Sequence, residues 1–163
     1  MRHGSVLPVL ATTVLSEWLD YNGHMNDAAY AIVFSRSVDA LMDRIGLDAR
    51  ARERTGQTLY TMQMMLHYFH EAKEGEALSV ACRLLEHDDK RMRVWLEMTS
   101  PAGEAIAASE QLLLSVQRGE DASHATPWSF ETLAALDALE KAQRGSPHPP
   151  QAGQGVTLKP KGS

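Results

Sequence analysis

The chain has 163 residues and a formal net charge of −5, with 16 Lys and Arg against 21 Asp and Glu. This length suits one domain, and an acidic chain without a basic face lacks the clustered cations that nucleic acids require. Cys82 is the only cysteine, which excludes an intrachain disulfide, and no apolar run reaches the length of a membrane span. We therefore expect a cytoplasmic protein with neither a nucleic-acid nor a membrane partner.

The first element is a short β-branched and apolar run, Val9–Leu15, which predicts a strand. A polar segment follows it and brings together Asp20, Gly23, His24 and Asn26 directly before a helical pattern. The first N–H groups of a helix have no intrahelical acceptor, and the helix dipole favours negative charge there. A carboxylate beside such donors can attack a carbonyl, or activate water against it, while the donors stabilise the oxyanion. The segment is thus a candidate site for acyl transfer.

The helical pattern runs from Asn26 to Leu47, with Asn26 or Asp27 as the cap and Gly46 where the helix stops. Its polar positions form one narrow stripe, and the rest of its circumference is apolar or small. Such a helix is typical of a buried helix, so the remaining elements must surround it.

Four strands follow, each predicted from apolar residues at every second position. Turn-like segments join them, as in an antiparallel meander. The alternating positions are Tyr60, Met62, Met64, Leu66 and Tyr68; Leu78, Val80, Cys82 and Leu84; Met92, Val94, Leu96 and Met98; and Ile106, Ala108, Leu112, Leu114 and Val116. A second helix is predicted at Phe130–Gln143, and the Gly-, Pro- and Lys-rich residues 145–163 are expected to be disordered. This order predicts an α+β fold in which a curved antiparallel sheet wraps around one long helix.

The residues before and at the start of the predicted helix resemble those of a known enzyme family. Hotdog-fold thioesterases of the 4-hydroxybenzoyl-CoA thioesterase type carry an acidic residue, two spacers, Gly-His, one spacer, Asn-Asn, two spacers and Tyr at the start of the central helix. The same frame here consists of Asp20, Gly23, His24, Asn26, Asp27 and Tyr30. The resemblance implies a single hotdog domain over residues 1–144, with its core at about 8–118 and a C-terminal helix at about 129–143.

Two positions depart from that frame: Trp18 stands where the family often has a second acid, and Asp27 replaces the second Asn. The run from Trp18 to Met25 is also similar to thioesterases of bacterial carnitine degradation, which act on betainyl-CoA. A quaternary ammonium group is held by aromatic faces or carboxylates. Trp18 and Tyr21 flank Asp20 and are candidates for this role, although both could equally be loop anchors.

The resemblance implies that Asp20 is the nucleophile or general base; the alternative is a capping residue at the helix start. His24 would position the carbonyl, the water or Asp20, or would be purely structural. Asn26 is an N-cap that could also touch substrate, and the N–H groups that follow Gly23 are candidate oxyanion donors. We expect no metal, because His67 and His70 lie in a strand pattern and face opposite sides.

In hotdog proteins the active site forms between two subunits, so we expect a homodimer or a dimer of dimers. His67, Tyr68 and Trp95 could then line the pocket beside Tyr30, although packing explains each of them equally well. Three arginines, Arg83, Arg91 and Arg93, could meet the phosphates of coenzyme A, or could simply be solvated. Coenzyme A would be part of the substrate, and no cofactor is expected. The resemblance implies an acyl-CoA thioesterase; the alternative is a non-catalytic module that binds acyl-CoA as a sensor or assembly partner.

Overall fold

The computed structural model describes residues 6–158. Strand β1 (Leu7–Thr13) leads through a 3₁₀ turn (Ser16–Trp18) into helix α1 (Asp27–Arg44) and then the short helix α2 (Ala49–Thr55). Four long strands follow, and a two-residue strand precedes the last helix. They are β2 (Gln57–Tyr68), β3 (Ala77–His87), β4 (Arg91–Thr99), β5 (Ala105–Gln117), β6 (His124–Ala125) and α3 (Phe130–Gln143). The order of strands and helices confirms the predicted α+β hotdog fold.

All strand pairings are antiparallel, in the order β1-β3-β4-β5-β2, with β6 beside the end of β5. Strands β1 and β2 are therefore the two edges of this path. The inner face of the sheet packs against α1, whose fully buried side chains include Phe34, Leu41 and Val33. Helix α3 packs against the same core through its buried Leu136. Among residues 6–158, no helix is both long and apolar enough to cross a bilayer.

Helix α1 is buried on one side only within a single chain. Its opposite side, which includes Ala28, Ile32 and the predicted polar stripe with Asp39, is exposed. Ile32 alone leaves 44% of its surface accessible. The prediction that the helix is enclosed around most of its circumference therefore does not hold for the isolated protomer.

The apolar alternation predicted for β5 does not mark the inner face of the strand. Ser109 and Gln111 pair with the inward residues Leu96 and Val94 of β4, whereas Ala108 belongs to a separate cluster on the outer face. Both polar side chains are buried, and the Gln111 amide donates to the Ser109 hydroxyl at 3.1 Å. An inward face that carries polar residues reverses the usual apolar pattern, so counting apolar positions selects the outer face instead.

Part of the tail that is predicted to be disordered, residues 146–153, contacts the rest of the protein. Ala152 packs against the outer-face cluster that contains Trp95, and the Gly153 N–H donates to the carboxylate of Glu110 at 2.7 Å. The Arg83 guanidinium donates to the backbone carbonyl of Ser146. These contacts hold the segment against the sheet despite its high Gly and Pro content. Residues 159–163 of the predicted tail lie outside the described part of the chain.

Candidate active site

The segment between the 3₁₀ turn and α1 is a tight reversal of the chain. Leu19 and Met25 form an antiparallel bridge, and the Asp20 N–H donates to the His24 carbonyl at 2.8 Å. Gly23 adopts φ +76°, the left-handed region that a side chain would strain. The reversal therefore depends on a glycine at position 23. It places Asp20 and His24 opposite each other in one short loop.

Two longer contacts fix this loop to the rest of the fold. The Met25 N–H donates to the Ala72 carbonyl, and the Asn26 N–H donates to the Trp18 carbonyl, both at 2.8 Å. The Asn26 side chain accepts from the Ala28 N–H at 2.9 Å, which confirms Asn26 as the N-cap of α1. The start of α1 is thus held beside the Asp20 loop.

Asp20 lines an open cavity of about 840 Å³. One carboxylate oxygen, Oδ1, accepts hydrogen bonds from the N–H groups of Asn22 (2.8 Å) and His24 (3.3 Å). Its second oxygen has no hydrogen bond within residues 6–158. Two backbone donors on one oxygen stabilise and orient the ionised carboxylate. The other oxygen is left available to a water molecule or a substrate carbonyl carbon.

The N–H groups of residues 23–26 are not available as oxyanion donors, contrary to the prediction from sequence. Each of them donates to a protein acceptor; the Gly23 N–H, for example, donates to the Asp20 carbonyl at 3.1 Å. The next group along the chain, the N–H of Asp27 at the first position of α1, has no hydrogen bond in the described part of the chain. An unpaired N–H at a helix start is the kind of donor that stabilises an oxyanion.

His24 also lines the cavity, and its ring contacts Glu71 rather than Asp20. The His24 Nε2 lies 3.1 Å from a carboxylate oxygen of Glu71, a residue of the loop between β2 and β3. On the neighbouring wall, His70 Nε2 lies 3.0 Å from Glu104. Glu71 thus orients the His24 imidazole, a role that the sequence alone did not reveal.

Two of the predicted aromatic residues, Tyr30 and Tyr68, do line the cavity. Their rings meet edge to face, with centroids 5.2 Å apart, and the Tyr68 hydroxyl donates to the Asp27 carbonyl at 3.0 Å. Burial raises the pKa of Tyr30, and the negative charges of Glu71 and Glu76 add to this effect. Burial, and then Asp27, raise the pKa of Tyr68. Both phenols therefore stay neutral at physiological pH.

Trp18 and Tyr21 do not line the cavity, so their predicted role in substrate binding is not supported. Trp18 is only 6% exposed and belongs to the core, with the Arg36 guanidinium 5.5 Å from its ring centroid. Tyr21 is 97% exposed and projects into solvent. Both residues flank Asp20 in sequence, but one side chain points inward and the other outward.

His67 and Trp95 are placed on the opposite face of the sheet from Asp20. Their ring centroids lie 5.3 Å apart, and Trp95 is buried beside Leu85 and the tail residue Ala152. Adjacent positions of a strand face opposite sides, so Tyr68 reaches the cavity while His67 cannot. In the single chain both residues pack on the outer face, and their role in a pocket formed with a partner chain stays a prediction.

The three arginines predicted to meet coenzyme A also lie away from the Asp20 cavity, and each has a protein partner. Arg83 donates to the tail backbone, Arg91 pairs with Asp88 at 2.6 Å, and Arg93 pairs with Glu86 at 3.0 Å. The Lys90 backbone N–H, and then the Arg91 guanidinium, hold the pKa of Asp88 down to about 2. In the single chain these arginines hold the turns and the tail of the outer face, and their contacts with coenzyme A phosphates stay a prediction.

Outside the cavity, one group of side chains has the composition of a metal site. His87 Nε2 lies 3.5 Å from carboxylate oxygens of both Asp137 and Glu140, on the surface where α3 meets β3. Both acids are largely exposed, as in an ordinary surface ion pair. The group joins α3 to the sheet and has no contact with Asp20.

The comparisons with known proteins agree with this geometry. A sequence model of the Thioesterase-like superfamily matches residues 14–142. The chain is 43% identical over 156 residues to a betainyl-CoA thioesterase of Pseudomonas aeruginosa, covering 95% of this chain and 97% of that protein. It is 39% identical over 139 residues to an L-carnitine dehydrogenase/betainyl-CoA thioesterase of Agrobacterium fabrum, covering 85% of this chain and 28% of that longer protein.

Two solved structures share the whole fold. A hypothetical protein from Staphylococcus aureus, in complex with CoA, superposes with a TM-score of 0.84 at 26% identity, covering 98% of this chain and 99% of that one. A candidate thioesterase from Pseudomonas putida KT2440 superposes with a TM-score of 0.80 at 35% identity, covering 96% and 99%. These matches confirm the resemblance inferred from the Asp20–Tyr30 frame. The chain belongs to the thioesterase-like superfamily and is a thioesterase of the hotdog fold.

Proposed function

We propose that this thioesterase hydrolyses an acyl-CoA thioester with a short cationic acyl group, betainyl-CoA, and that Asp20 acts on the thioester carbonyl. The observation that carries the proposal is the Asp20 carboxylate, with one oxygen fixed by two backbone N–H groups and the other free in a cavity beside the start of α1. The names of the relatives from Pseudomonas and Agrobacterium support the substrate.

The chemistry needs a base or nucleophile and an oxyanion donor, and the residues that could supply them, Asp20 and Asp27, line the same cavity. Asp20 either takes a proton from a water that attacks the carbonyl carbon or attacks that carbon itself. The negative charge that develops on the carbonyl oxygen would be held by the Asp27 N–H at the helix start. Collapse of the tetrahedral intermediate breaks the C–S bond, and coenzyme A leaves as a thiolate that takes up the proton. His24, whose ring contacts Glu71, would position the water or the carbonyl.

One isotope experiment can identify Asp20 as a nucleophile. In a single turnover in ¹⁸O-labelled water, a general-base route puts the label only into the released acid. A nucleophilic route forms an Asp20–acyl anhydride; water that attacks its aspartyl carbonyl carbon leaves ¹⁸O in the Asp20 side chain, whereas attack at the acyl carbon labels the acid. Mass spectrometry of the peptide that contains Asp20 measures this directly.

The proposed activity is tested by thiol release across a panel of acyl-CoA thioesters. The panel contains betainyl-CoA beside short linear, branched and aromatic thioesters. We expect turnover, with betainyl-CoA preferred. Tight binding of these thioesters without release of thiol would instead support a non-catalytic acyl-CoA module, and would contradict the proposal.

We also propose that the protein assembles as a homodimer through the edge strand β2. In the described chain β2 pairs only with β5, so its other edge is free, and Tyr60, Met62 and Met64 are exposed along it. A long apolar edge strand is a surface that natural proteins cover. A Met62→Lys variant is expected to shift the mass measured by light scattering from dimer toward monomer, whereas Arg50→Lys on exposed α2 leaves it unchanged. A monomeric wild-type protein would contradict this assembly.

A further inference from the structure

The Asp20 cavity is strongly acidic. Its lining contains one lysine, Lys73, and five carboxylates: Asp20, Asp27, Glu71, Glu76 and Glu104. A cleft lined mainly by negative side chains has a negative potential that attracts positively charged ligands. The charge of a coenzyme A phosphate has the wrong sign for this lining. The cavity therefore suits the acyl end of a substrate that brings a positive charge.

Four of these carboxylates already have partners among residues 6–158. Asp20 accepts from backbone N–H groups, Asp27 accepts from the N–H of the following residue, and Glu71 and Glu104 each pair with a histidine. Glu76 differs, because its carboxylate has no hydrogen bond or ion pair in the described part of the chain. Its side chain is nevertheless partly buried. A partly buried, unpaired carboxylate costs free energy that a cationic ligand would recover.

The backbone of Glu76 is held in place. The Val14 N–H donates to the Glu76 carbonyl at 2.9 Å, and the Glu76 N–H donates to the Lys73 carbonyl at 3.2 Å. The preceding Gly75 takes φ +79° and closes the turn. The backbone at Glu76 is therefore held in place, and Glu76 lines the same cavity as Tyr30 and Tyr68.

Tyr68 supplies an aromatic face in the same cavity. Half of its surface is exposed, and two contacts fix the ring: the edge-to-face contact with Tyr30 and the hydrogen bond from its hydroxyl to the Asp27 carbonyl. A quaternary ammonium group has no N–H to donate, so it is held by aromatic faces and by unpaired negative charge rather than by hydrogen bonds. A neutral phenol ring and an unpaired carboxylate are the two parts of such a site.

We propose that Glu76 and the ring face of Tyr68 form the subsite that receives the trimethylammonium group of the acyl chain, with Glu76 as its counter-charge. The inference rests on the proposed function, since it places a cationic acyl group in the Asp20 cavity. It makes Glu76 a specificity-determining residue that acts on the charge of the substrate, not on the thioester bond.

The test compares two thioesters of the same shape. Betainyl-CoA carries a trimethylammonium group, and 3,3-dimethylbutyryl-CoA carries a tert-butyl group in its place. We expect Glu76→Gln to lower the ratio of kcat/KM for the charged over the neutral thioester by about tenfold, the size of one screened charge pair at contact. Hydrolysis of the neutral thioester continues and shows that the variant is folded. Glu74→Gln, an exposed residue of the same turn, keeps the wild-type ratio and is the matched control.

Two variants of Tyr68 test the aromatic half. Tyr68→Phe keeps the ring face and is expected to keep the preference, whereas Tyr68→Leu removes the face and lowers the ratio. If the wild-type protein prefers betainyl-CoA and Glu76→Gln leaves the ratio unchanged, the subsite is wrong while the proposed function stands. If the wild-type protein hydrolyses neither thioester, the proposed function itself fails and the subsite with it.

Discussion

Replacing Asp20 by Asn separates the chemistry of this residue from its part in the fold. The Asn side chain keeps an oxygen that can accept from the Asn22 and His24 N–H groups, so the loop geometry is preserved. A hydrogen bond to a charged acceptor contributes about 1 kcal/mol more than one to a neutral acceptor, and the Asn22 contact is exposed. We therefore expect a loss of about 1 kcal/mol in the free energy of unfolding, or about 2–4 °C in Tm.

The effect on turnover is expected to be much larger. An amide is neither a base nor a nucleophile at neutral pH, and loss of a general base costs about 10²–10⁴-fold in rate. Steady-state thiol release with betainyl-CoA measures kcat, and thermal unfolding measures stability in the same preparations. Asp39→Asn, an exposed carboxylate on the outer side of α1, is the control and is expected to change neither. An Asp20→Asn enzyme that keeps more than about a tenth of wild-type kcat would refute the role of Asp20.

Two further expectations concern the fold. Leu136 is the fully buried leucine of α3, and Leu136→Ala is expected to lower the free energy of unfolding, measured in guanidinium, by about 2–5 kcal/mol. Leu133→Ala on the exposed side of α3 is expected to lower it by about 1 kcal/mol or less. Equal losses would show that α3 is not docked as described. Burial raises the pKa of the Cys82 thiol to about 12, so the group stays protonated at pH 8. A disulfide reagent should then label Cys82 only after denaturation, and rapid labelling of the native protein would contradict its burial.

Most of the fold was predictable because its elements have clear periods. The long strands alternate in steps of two, α1 has a cap at Asn26, and α3 was predicted at the residues where it occurs. Helix α2 was missed because five of its seven residues are polar or charged, which leaves no apolar face to detect. Its caps, Asp48 and Gly56, were the available signals.

The candidate site was only partly predictable, for a physical reason. Asp20, His24 and Asn26 act from one short segment, so their spacing is visible in the sequence. Glu71 and Glu76 reach the same cavity from a loop about fifty residues later, which only the folded sheet brings into place. In sequence that loop is a run of charged residues, which is typical of a solvated turn. Conversely, Trp18 and Tyr21 are close to Asp20 in sequence but do not line its cavity, because neighbouring side chains in a tight turn can point in opposite directions.

The acidic lining also bears on how the reaction ends. A thioester carbonyl is neutral, whereas the acid released from it ionises at neutral pH. Hydrolysis therefore creates one more negative charge within a cavity that already holds Asp20, Glu71, Glu76 and Glu104. Like charges repel, so the carboxylates of the lining disfavour the new carboxylate in the cavity. Because the new carboxylate is repelled, we expect the free acid to bind more weakly than the thioester, even though it keeps the trimethylammonium group.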